Sequence, residues 1–379
     1  MPAKRLYLPI ALLLLAGLAC SGTAPQAPAP IPSVDGVVKG FGISPEGWPQ
    51  DFSRLEDFLA EVGSFPNGGL MFNGGWRDDL MESTDAGEIP DTAAGITGRA
   101  SEFGYVPINV FGWRSEGNIV HLAVPDNPAN DWTNEAAKDL YQQMLVAFAE
   151  TYQPPYIFIG NESDEYFIGH PQDYLRWVEF YNRAYDAIKA VAPDTLVGPI
   201  FQYERMAGIG QINNWTEPHW DALDSHDLNR VDIVGLTFYP MFSVATPQDI
   251  PDDYLAPIQA RIGDKPIAIT ETGWPAEYFG ERELPWQASE ELQVAYVEAL
   301  ERILEGPSCI PWVTAAMAIW SGNFSGRWRS TTARATRARP CRPGWSFNPK
   351  FKTHQHFMRG RGESITLPLC ASLLPAWPP

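Results

Sequence analysis

Short apolar runs alternate with longer amphipathic stretches along most of the chain. Eight runs have the length and the apolar or β-branched content of strands that are buried on both faces. These predict strands at residues 36–43, 69–73, 106–111, 156–160, 196–201, 231–238, 266–271 and 312–320. Apolar residues spaced three to four apart predict helices at residues 52–62, 135–152, 173–191 and 289–305.

This alternation of strands and helices predicts an α/β fold with a parallel sheet. Eight strands with interleaved helices over roughly 290 residues match the size of a (β/α)8 TIM barrel. We therefore predict one barrel domain at residues 35–326. No amphipathic helix follows the eighth strand, so the last helix of the barrel is missing or replaced by an irregular basic tail.

The first residues have the pattern of a secretion signal. Lys4 and Arg5 precede an apolar run at residues 6–19 that is too short to span a bilayer. The run ends in AGLACS, which resembles a bacterial lipobox with Cys20 as the lipidated residue, although Gly17 stands where an aliphatic residue is usual. We predict a signal peptide at residues 1–20 and an Ala/Pro-rich tether at 21–34, and hence a lipid-anchored envelope protein or a secreted one.

The last segment, residues 327–379, differs from the rest in charge. It holds ten Lys or Arg residues and one acidic residue, Glu363, in a chain whose net charge is -19. One interpretation is a basic tail of low order. The other is a shift of the reading frame near Asn323, which we favour because a barrel without its last helix leaves strand faces uncovered.

Composition and cysteine spacing exclude several classes of function. The net charge of -19 argues against nucleic acid, whose phosphates would be repelled, and is compatible with a neutral polymer. Beyond Cys20, the cysteines Cys309, Cys341 and Cys370 are spaced irregularly and give neither a disulfide framework nor a zinc pattern. We predict no metal, no other cofactor and a monomer.

Two of the predicted strands end in a carboxylate. The run YIFIGNE at residues 156–162 ends in Glu162, and PIAITETGWP at residues 266–275 contains Glu271. Strands four and seven of an eight-stranded barrel face each other across its mouth, so both acids are expected in one cleft at the C-terminal face. Glycoside hydrolysis requires two such groups, one to donate a proton and one to attack or to activate water.

The same residues carry a resemblance to a known group of enzymes. GNE at residues 160–162 and TETGWP at 270–275 resemble the acid/base and nucleophile motifs of glycoside hydrolase clan A, whose members are (β/α)8 barrels. VDIVGLTFYP at residues 231–240 resembles the sixth strand of family 53, the arabinogalactan endo-β-1,4-galactanases. Family 17, the endo-β-1,3-glucanases, is the second resemblance because ETGWP also suits it.

The resemblance implies a role for each matching residue. Glu162 would be the general acid/base and Glu271 the nucleophile of a double displacement, while Asn161 would bond the sugar 2-hydroxyl. Tyr239 would hold the Glu271 carboxylate in its attacking orientation. A tyrosine hydroxyl favours an ionised nucleophile, and a neighbouring carboxylate raises the pKa that an acid/base needs.

Aromatic and acidic residues after other strands are further candidates. Trp320 matches the aromatic floor of the clan's cleavage subsite, so we predict that it stacks on sugar. Trp274 follows the seventh strand and is a second candidate for sugar stacking, with packing within a loop as the alternative. Four more acids could compete as catalysts: Asp164, Glu165, Glu204 and Glu277.

These observations predict a retaining endo-β-glycosidase that acts on a polysaccharide or oligosaccharide. Galactan is the leading substrate because of the sixth-strand motif, and β-1,3-glucan or another β-glycan is the alternative. A different class remains open, a glycan-binding surface lipoprotein that kept the barrel and lost turnover. The presence of both acids counts against this class, and the irregular C-terminal segment counts for it.

Overall fold

A parallel sheet of nine segments forms the centre of the protein in this computed structural model. The structure describes residues 38–42, 51–73, 75–76, 87–115, 118–211, 215–276, 284–304 and 312–316. The predicted signal peptide with Cys20, the tether at 21–34, Trp320 and the basic tail at 327–379 lie outside the described residues.

The nine segments make eight strands, because the segments Leu196–Gly198 and Ile200–Gln202 are two parts of one strand. The strands are β1 (Val38–Gly42), β2 (Gly68–Asn73), β3 (Val106–Phe111), β4 (Tyr156–Ile159), β5 (Leu196–Gly198 and Ile200–Gln202), β6 (Val234–Phe238), β7 (Ile267–Thr272) and β8 (Trp312–Ala316). A short antiparallel hairpin of Arg114–Ser115 and Ile119–Val120 follows β3.

The sheet closes on itself at Pro199. Its order is β5-β4-β3-β2-β1-β8-β7-β6-β5, since Leu196–Gly198 pairs with β4 and Ile200–Gln202 pairs with β6. Proline has no N–H to donate, so it interrupts the ladder, but its carbonyl accepts the N–H of Gly235 on β6 at 2.9 Å. Because both ends of the sheet meet at this one residue, the eight strands form a (β/α)8 barrel.

The helices follow the strands and cover the outside of the barrel. They are α1 (Leu55–Ser64), α2 (Asp91–Gly98), α3 (Ala100–Phe103), α4 (Glu135–Tyr152), α5 (Ser163–Gly169), α6 (Pro171–Val191), α7 (Tyr203–Ala207), α8 (Asp221–Asp224), α9 (Ala256–Ile262) and α10 (Glu290–Leu304). The described part of the chain also has 3₁₀ turns at Leu228–Arg230, Pro240–Phe242 and Pro247–Asp249. None of the helices in the described part of the chain has the length and apolar character needed to cross a membrane.

Two hydrophobic cores lie on the two faces of the barrel wall. Alternate strand residues, among them Ile108, Phe158 and Ile200, form a cluster that fills the barrel interior. The residues between them, such as Ile157 on β4, join a larger cluster with the apolar faces of the helices. Burial on both faces is why these strands read as continuous apolar runs in the sequence.

The predicted elements agree closely with the observed ones. β3 and α4 have the predicted bounds, and each of the other predicted strands overlaps an observed strand. Helix α1 begins at Leu55, three residues later than predicted. The described part of β8 ends at Ala316, and the prediction of a missing last helix concerns residues outside the described part of the chain.

Candidate active site

The two acids at the ends of β4 and β7 share one pocket at the C-terminal end of the barrel. The Nδ2 of Asn161, which precedes Glu162, donates to Oε1 of Glu271 at 3.4 Å. The hydroxyl of Tyr239 donates to the other oxygen, Oε2, also at 3.4 Å. All four side chains are partly exposed, whereas the strand residues below them are buried, so the pocket opens at this end. The structure therefore brings together four of the six residues that the sequence predicted for catalysis and substrate binding.

A β-bulge turns Glu271 into the barrel. On β7, Ile269 pairs with Leu236 of β6, yet Glu271 pairs with Thr237, so Thr270 has no partner in the register. Side chains alternate along a strand, and without the extra residue Glu271 would share the outward face of Ile269. Because of the bulge it shares the inward face of Thr237 instead.

The backbone that carries Glu162 has an unusual conformation. Gly160 has φ +81°, and a Cβ there would meet Trp113 Nε1 at 3.0 Å and Trp177 Cζ2 at 3.1 Å, so only glycine fits. Glu162 itself is left-handed, with φ 46° and ψ 46°, which costs a residue with a side chain about 1–2 kcal/mol. Arg114 helps to hold this turn, since its Nη2 donates to the carbonyl oxygens of Asn161 and Glu162.

Two donors contact the Glu162 carboxylate. Thr237 Oγ1 donates to Oε1 at 2.7 Å, and Arg205 Nη2 lies 3.3 Å from Oε2. Arg205 also binds the buried Asp164 through its Nε at 2.7 Å. The charges of Asp164 and Glu162 raise the pKa of the Arg205 guanidinium although burial works to lower it. The guanidinium is therefore held charged beside the predicted acid/base.

The Glu271 carboxyl is shifted toward its protonated form. Burial raises its pKa to about 7, and the neighbouring charge of Glu162 adds to the increase, while the hydrogen bonds from Asn161 and Tyr239 oppose it. We expected donors to keep the nucleophile ionised, but burial and the second acid outweigh them in the ligand-free pocket. In the ligand-free site Glu271 is therefore partly protonated at neutral pH.

A third carboxyl group lies beneath the pocket. Glu204 is fully buried, and its Oε2 accepts the backbone N–H of Tyr239 at 3.0 Å and Gln202 Nε2 at 2.7 Å. Burial raises the pKa of Glu204 to about 7, and the hydrogen bonds of Tyr239, Gln202 and Tyr254 oppose this increase. Glu204 thus supports the turn after β6 that presents the Tyr239 hydroxyl to Glu271.

The other predicted acids have different partners or positions. Asp164 is paired with Arg205, and Glu165 is paired with Arg114 at 2.6 Å. Glu204 has no exposed surface, and Glu277 lies outside the described residues. Glu162 and Glu271 are the two acids whose carboxylates the side chains of Thr237 and Tyr239 contact.

The prediction that Trp274 stacks on sugar is wrong. Its side chain is 0% exposed, its Nε1 donates to the carbonyl of Gln287 at 2.9 Å, and its ring packs against Tyr296 at 5.7 Å. A ring with no exposed face cannot stack on a ligand, so Trp274 is a core residue. Trp320, the other predicted platform, lies outside the described residues.

Three residues of this site were not found from the sequence. Thr237 had a usable signal, because it lies two residues before Tyr239 on the same strand and therefore on the same face. Arg205 directly follows Glu204 at the end of β5, and Arg114 follows β3, but neither position indicates which acid it contacts. Within the described residues, no group of three or more His, Cys, Asp or Glu side chains could hold a metal ion.

A family model matches the part of the chain that carries this site. The family model of Glycosyl hydrolase family 53 matches residues 121–298. This stretch is similar to glycosyl hydrolase family 53. The match includes both Glu162 and Glu271, and it confirms the predicted resemblance to glycoside hydrolase clan A and to family 53 in particular.

One curated relative and several solved structures are also similar to parts of the chain. A protein of Aspergillus clavatus named "Probable glucan endo-1,3-beta-glucosidase eglC" is 32% identical over 117 residues, covering 26% of this chain and 25% of that protein. The chain thus spans about a quarter of the length of this relative.

The similar solved structures are more distant. Exo-beta-1,4-mannosidase Op5Man5 from Opitutaceae bacterium strain TAV5 has a TM-score of 0.48 at 16% identity, over 77% of this chain and 54% of that chain. A Rhizomucor miehei beta-1,3-glucanosyltransferase mutant in complex with laminaritriose has a TM-score of 0.47 at 11% identity, over 74% and 86%.

Proposed function

We propose that the protein is a retaining endo-β-glycosidase that hydrolyses a β-linked polysaccharide by double displacement. The observation that carries the proposal is the hydrogen bond of Asn161, the neighbour of Glu162 after β4, to Glu271 on β7, at the end of the barrel where both acids are partly exposed. The match to family 53 over residues 121–298 supports it. Two carboxyl groups that flank one glycosidic bond are the minimum that this chemistry needs.

In the first step, Glu162 donates its proton to the glycosidic oxygen while the Glu271 carboxylate attacks the anomeric carbon. The bond from this carbon to the leaving oxygen breaks, and a glycosyl ester forms on Glu271. In the second step, Glu162 accepts a proton from water, whose oxygen displaces Glu271 from the same carbon. Two inversions give net retention, and Glu162 regains the proton that it donated.

The contacts of Glu271 suit the two states through which it passes. Its Oε1 and Oε2 each lie 3.4 Å from a neutral donor, Asn161 or Tyr239, so both oxygens are oriented. The pKa of about 7 means that much of the nucleophile is protonated below neutral pH. We propose that the bound sugar shifts Glu271 toward its ionised form and that Asn161 bonds the sugar 2-hydroxyl.

A neutral β-glycan is the substrate class that we propose. A β-1,4-galactan leads because of the family 53 match, and a β-1,3-glucan is second because of the name of the Aspergillus clavatus relative. We further propose that the protein acts as a monomer without a cofactor or nucleic acid, either anchored to a bacterial membrane through lipidated Cys20 or secreted.

The replacement of Glu271 by Gln tests this function. The variant keeps the shape of the side chain but cannot form the ester, and its amide nitrogen donates where a carboxylate oxygen accepted from Asn161 or Tyr239. We expect the wild type to release reducing ends from at least one of galactan, laminarin, mannan and xylan, and the variant to lose this release while it still binds the same polymer. Release at the wild-type rate by the variant would contradict the proposal. Binding by the wild type without release from any polymer would favour the glycan-binding lipoprotein instead.

A further inference from the structure

A buried arginine connects the predicted acid/base to the interior of the barrel. The Nη2 of Arg205 lies 3.3 Å from Oε2 of Glu162 and 3.4 Å from its backbone carbonyl, and Nε binds Asp164 Oδ2 at 2.7 Å. The side chain of Asp164 has no exposed surface, and that of Arg205 is 8% exposed. A guanidinium can bridge two carboxylates in this way because its donors form a rigid planar fork.

Several contacts fix the guanidinium in this position. Asp164 is itself held, since its Oδ1 accepts the backbone N–H of Gln202 at 2.8 Å. Gln202 also caps the N-terminus of helix α7, where its Oε1 accepts the backbone N–H of Arg205 at 2.6 Å. The ring of Trp215 covers the guanidinium, with the Cζ atom 5.4 Å from the ring centroid. Arg205 therefore cannot move away from Glu162 without breaking its pair with Asp164.

The two oxygens of Glu162 have partners of different chemistry. Arg205 can only donate, so a proton on Oε2 would point at another hydrogen. The Thr237 hydroxyl, 2.7 Å from Oε1, can donate to a carboxylate and can also rotate to accept from a carboxylic acid. A proton on Glu162 is therefore favoured on Oε1, beside a hydroxyl that can accept, and disfavoured on Oε2, beside a guanidinium that can only donate.

We propose that Arg205 is a positioning residue that reserves Oε1 of Glu162 for the proton in both steps of the reaction. This inference rests on the proposed function and adds a residue to it. In the first step the proton passes from Oε1 to the leaving glycosidic oxygen as its bond to the anomeric carbon breaks. In the second, a proton of the attacking water returns to Oε1, while Oε2 remains paired with Arg205 throughout.

The replacement of Arg205 by Lys tests the proposal. A lysine ammonium can stay paired with Asp164, so the buried carboxylate keeps a cation. Lysine lacks the planar guanidinium, however, and its single nitrogen on a shorter side chain cannot bind Asp164 and Glu162 at the same time. Arg230→Lys is the matched control, because Arg230 also joins two carboxylates, those of Asp186 and Asp227. It precedes β6 and so lies at the opposite end of the barrel from the pocket.

The assays use β-1,4-galactan and 2,4-dinitrophenyl β-1,4-galactobioside, whose leaving group needs no proton. For Arg205→Lys we expect kcat on galactan to fall about 100-fold. On the activated substrate the second step, hydrolysis of the ester, limits the rate. The ester of the variant should therefore accumulate, and kcat and KM should fall together. Added azide should restore kcat, because it is a nucleophile that attacks the ester without a general base. Arg230→Lys should match the wild type in every assay.

A second comparison separates positioning from a loss of structure. If Arg205 acts through Glu162, adding Arg205→Lys to Glu162→Ala should change kcat on the activated substrate by less than about 2-fold. Asp164→Asn, which never touches Glu162, should show the same pattern as Arg205→Lys with a smaller loss.

Three results would overturn the proposal about Arg205. These are wild-type kinetics for Arg205→Lys, an equal loss on both substrates without a change in KM or a response to azide, or a further large loss in the Glu162→Ala background. Failure of the proposed function looks different, because the wild type itself would then hydrolyse neither substrate, which overturns both proposals together.

Discussion

Thr237 and Tyr239 lie two residues apart at the end of β6, and each donates a hydrogen bond to a different one of the two acids. The Thr237 hydroxyl reaches Glu162 at 2.7 Å and the Tyr239 hydroxyl reaches Glu271 at 3.4 Å. Side chains two apart on a strand point to the same face, so the pleat of β6 sets the spacing of both donors. One strand between β5 and β7 thus orients both carboxyl groups.

This arrangement predicts different defects for the two donors. Tyr239→Phe removes a bond that lowers the pKa of Glu271, so that pKa should rise above about 7 and the acid limb of kcat/KM should move to higher pH. We expect kcat/KM at pH 7 to fall about 10-fold to 100-fold, as for other hydrogen bonds to charged groups. Thr237→Val keeps the side-chain shape and should leave the acid limb in place. An acid limb that moves equally in both variants would contradict the separate roles.

The charge of Glu162 predicts a pH dependence for Glu271. The nucleophile must be ionised, so kcat/KM should fall with decreasing pH around a midpoint of about 7. Glu162→Gln removes a charge that raises the pKa of Glu271, and its acid limb should therefore move to lower pH. The activated dinitrophenyl substrate makes the variant measurable because it needs no acid. A limb that stays in place, or moves to higher pH, would show that the two carboxyl groups do not interact.

The buried Glu204 predicts how the free energy of unfolding depends on pH. Its pKa is about 7 in the folded protein and 4.5 as a free side chain, so the folded state binds the proton more tightly. The stabilisation is complete below pH 4.5 and is lost as the pH rises through 7, by about 3 kcal/mol for this group. Urea denaturation at pH 5 and pH 8 should show a smaller decrease for Glu204→Gln than for the wild type. Equal decreases would indicate that Glu204 stays ionised at pH 5.

Gly160 predicts a cost for any side chain before the acid/base. Gly160→Ala would place a Cβ 3.0 Å from Trp113 Nε1 at φ +81°, so we expect a loss of about 2 kcal/mol in the free energy of unfolding. Gly95→Ala is the control, because Gly95 lies inside helix α2 with nothing within 4 Å and should gain up to about 1 kcal/mol. Denaturant titration measures both. A neutral Gly160→Ala would mean that the turn before Glu162 does not require glycine.

Much of the barrel could be predicted because its strands are local apolar runs. β3 and α4 were predicted at their observed bounds, because the apolar run of β3 and the amphipathic spacing of α4 are patterns of neighbouring residues. The ends of β4 and β7 were also local signals, and they located Glu162 and Glu271. The break of β5 at Pro199 was not predicted, because it depends on the pairing of β5 with β4 on one side and β6 on the other.

The parts of the site that escaped prediction depend on contacts between distant residues. Arg205 is 41 residues from Asp164, and nothing near either residue in the sequence indicates their ion pair. The bulge at Thr270 becomes visible only when β7 is paired with β6. Trp274 was misjudged for the same reason, since its position after a strand does not show that Gln287 and Tyr296 enclose it.

The most direct test of the central claim is the position of the covalent intermediate. The protein would be incubated with 2-deoxy-2-fluoro-galactobiosyl fluoride, digested with pepsin and examined by tandem mass spectrometry. We predict one added disaccharide, attached to the carboxyl group of Glu271. A label on Glu162 or Glu204, or the absence of any label from a preparation that hydrolyses galactan, would contradict Glu271 as the nucleophile.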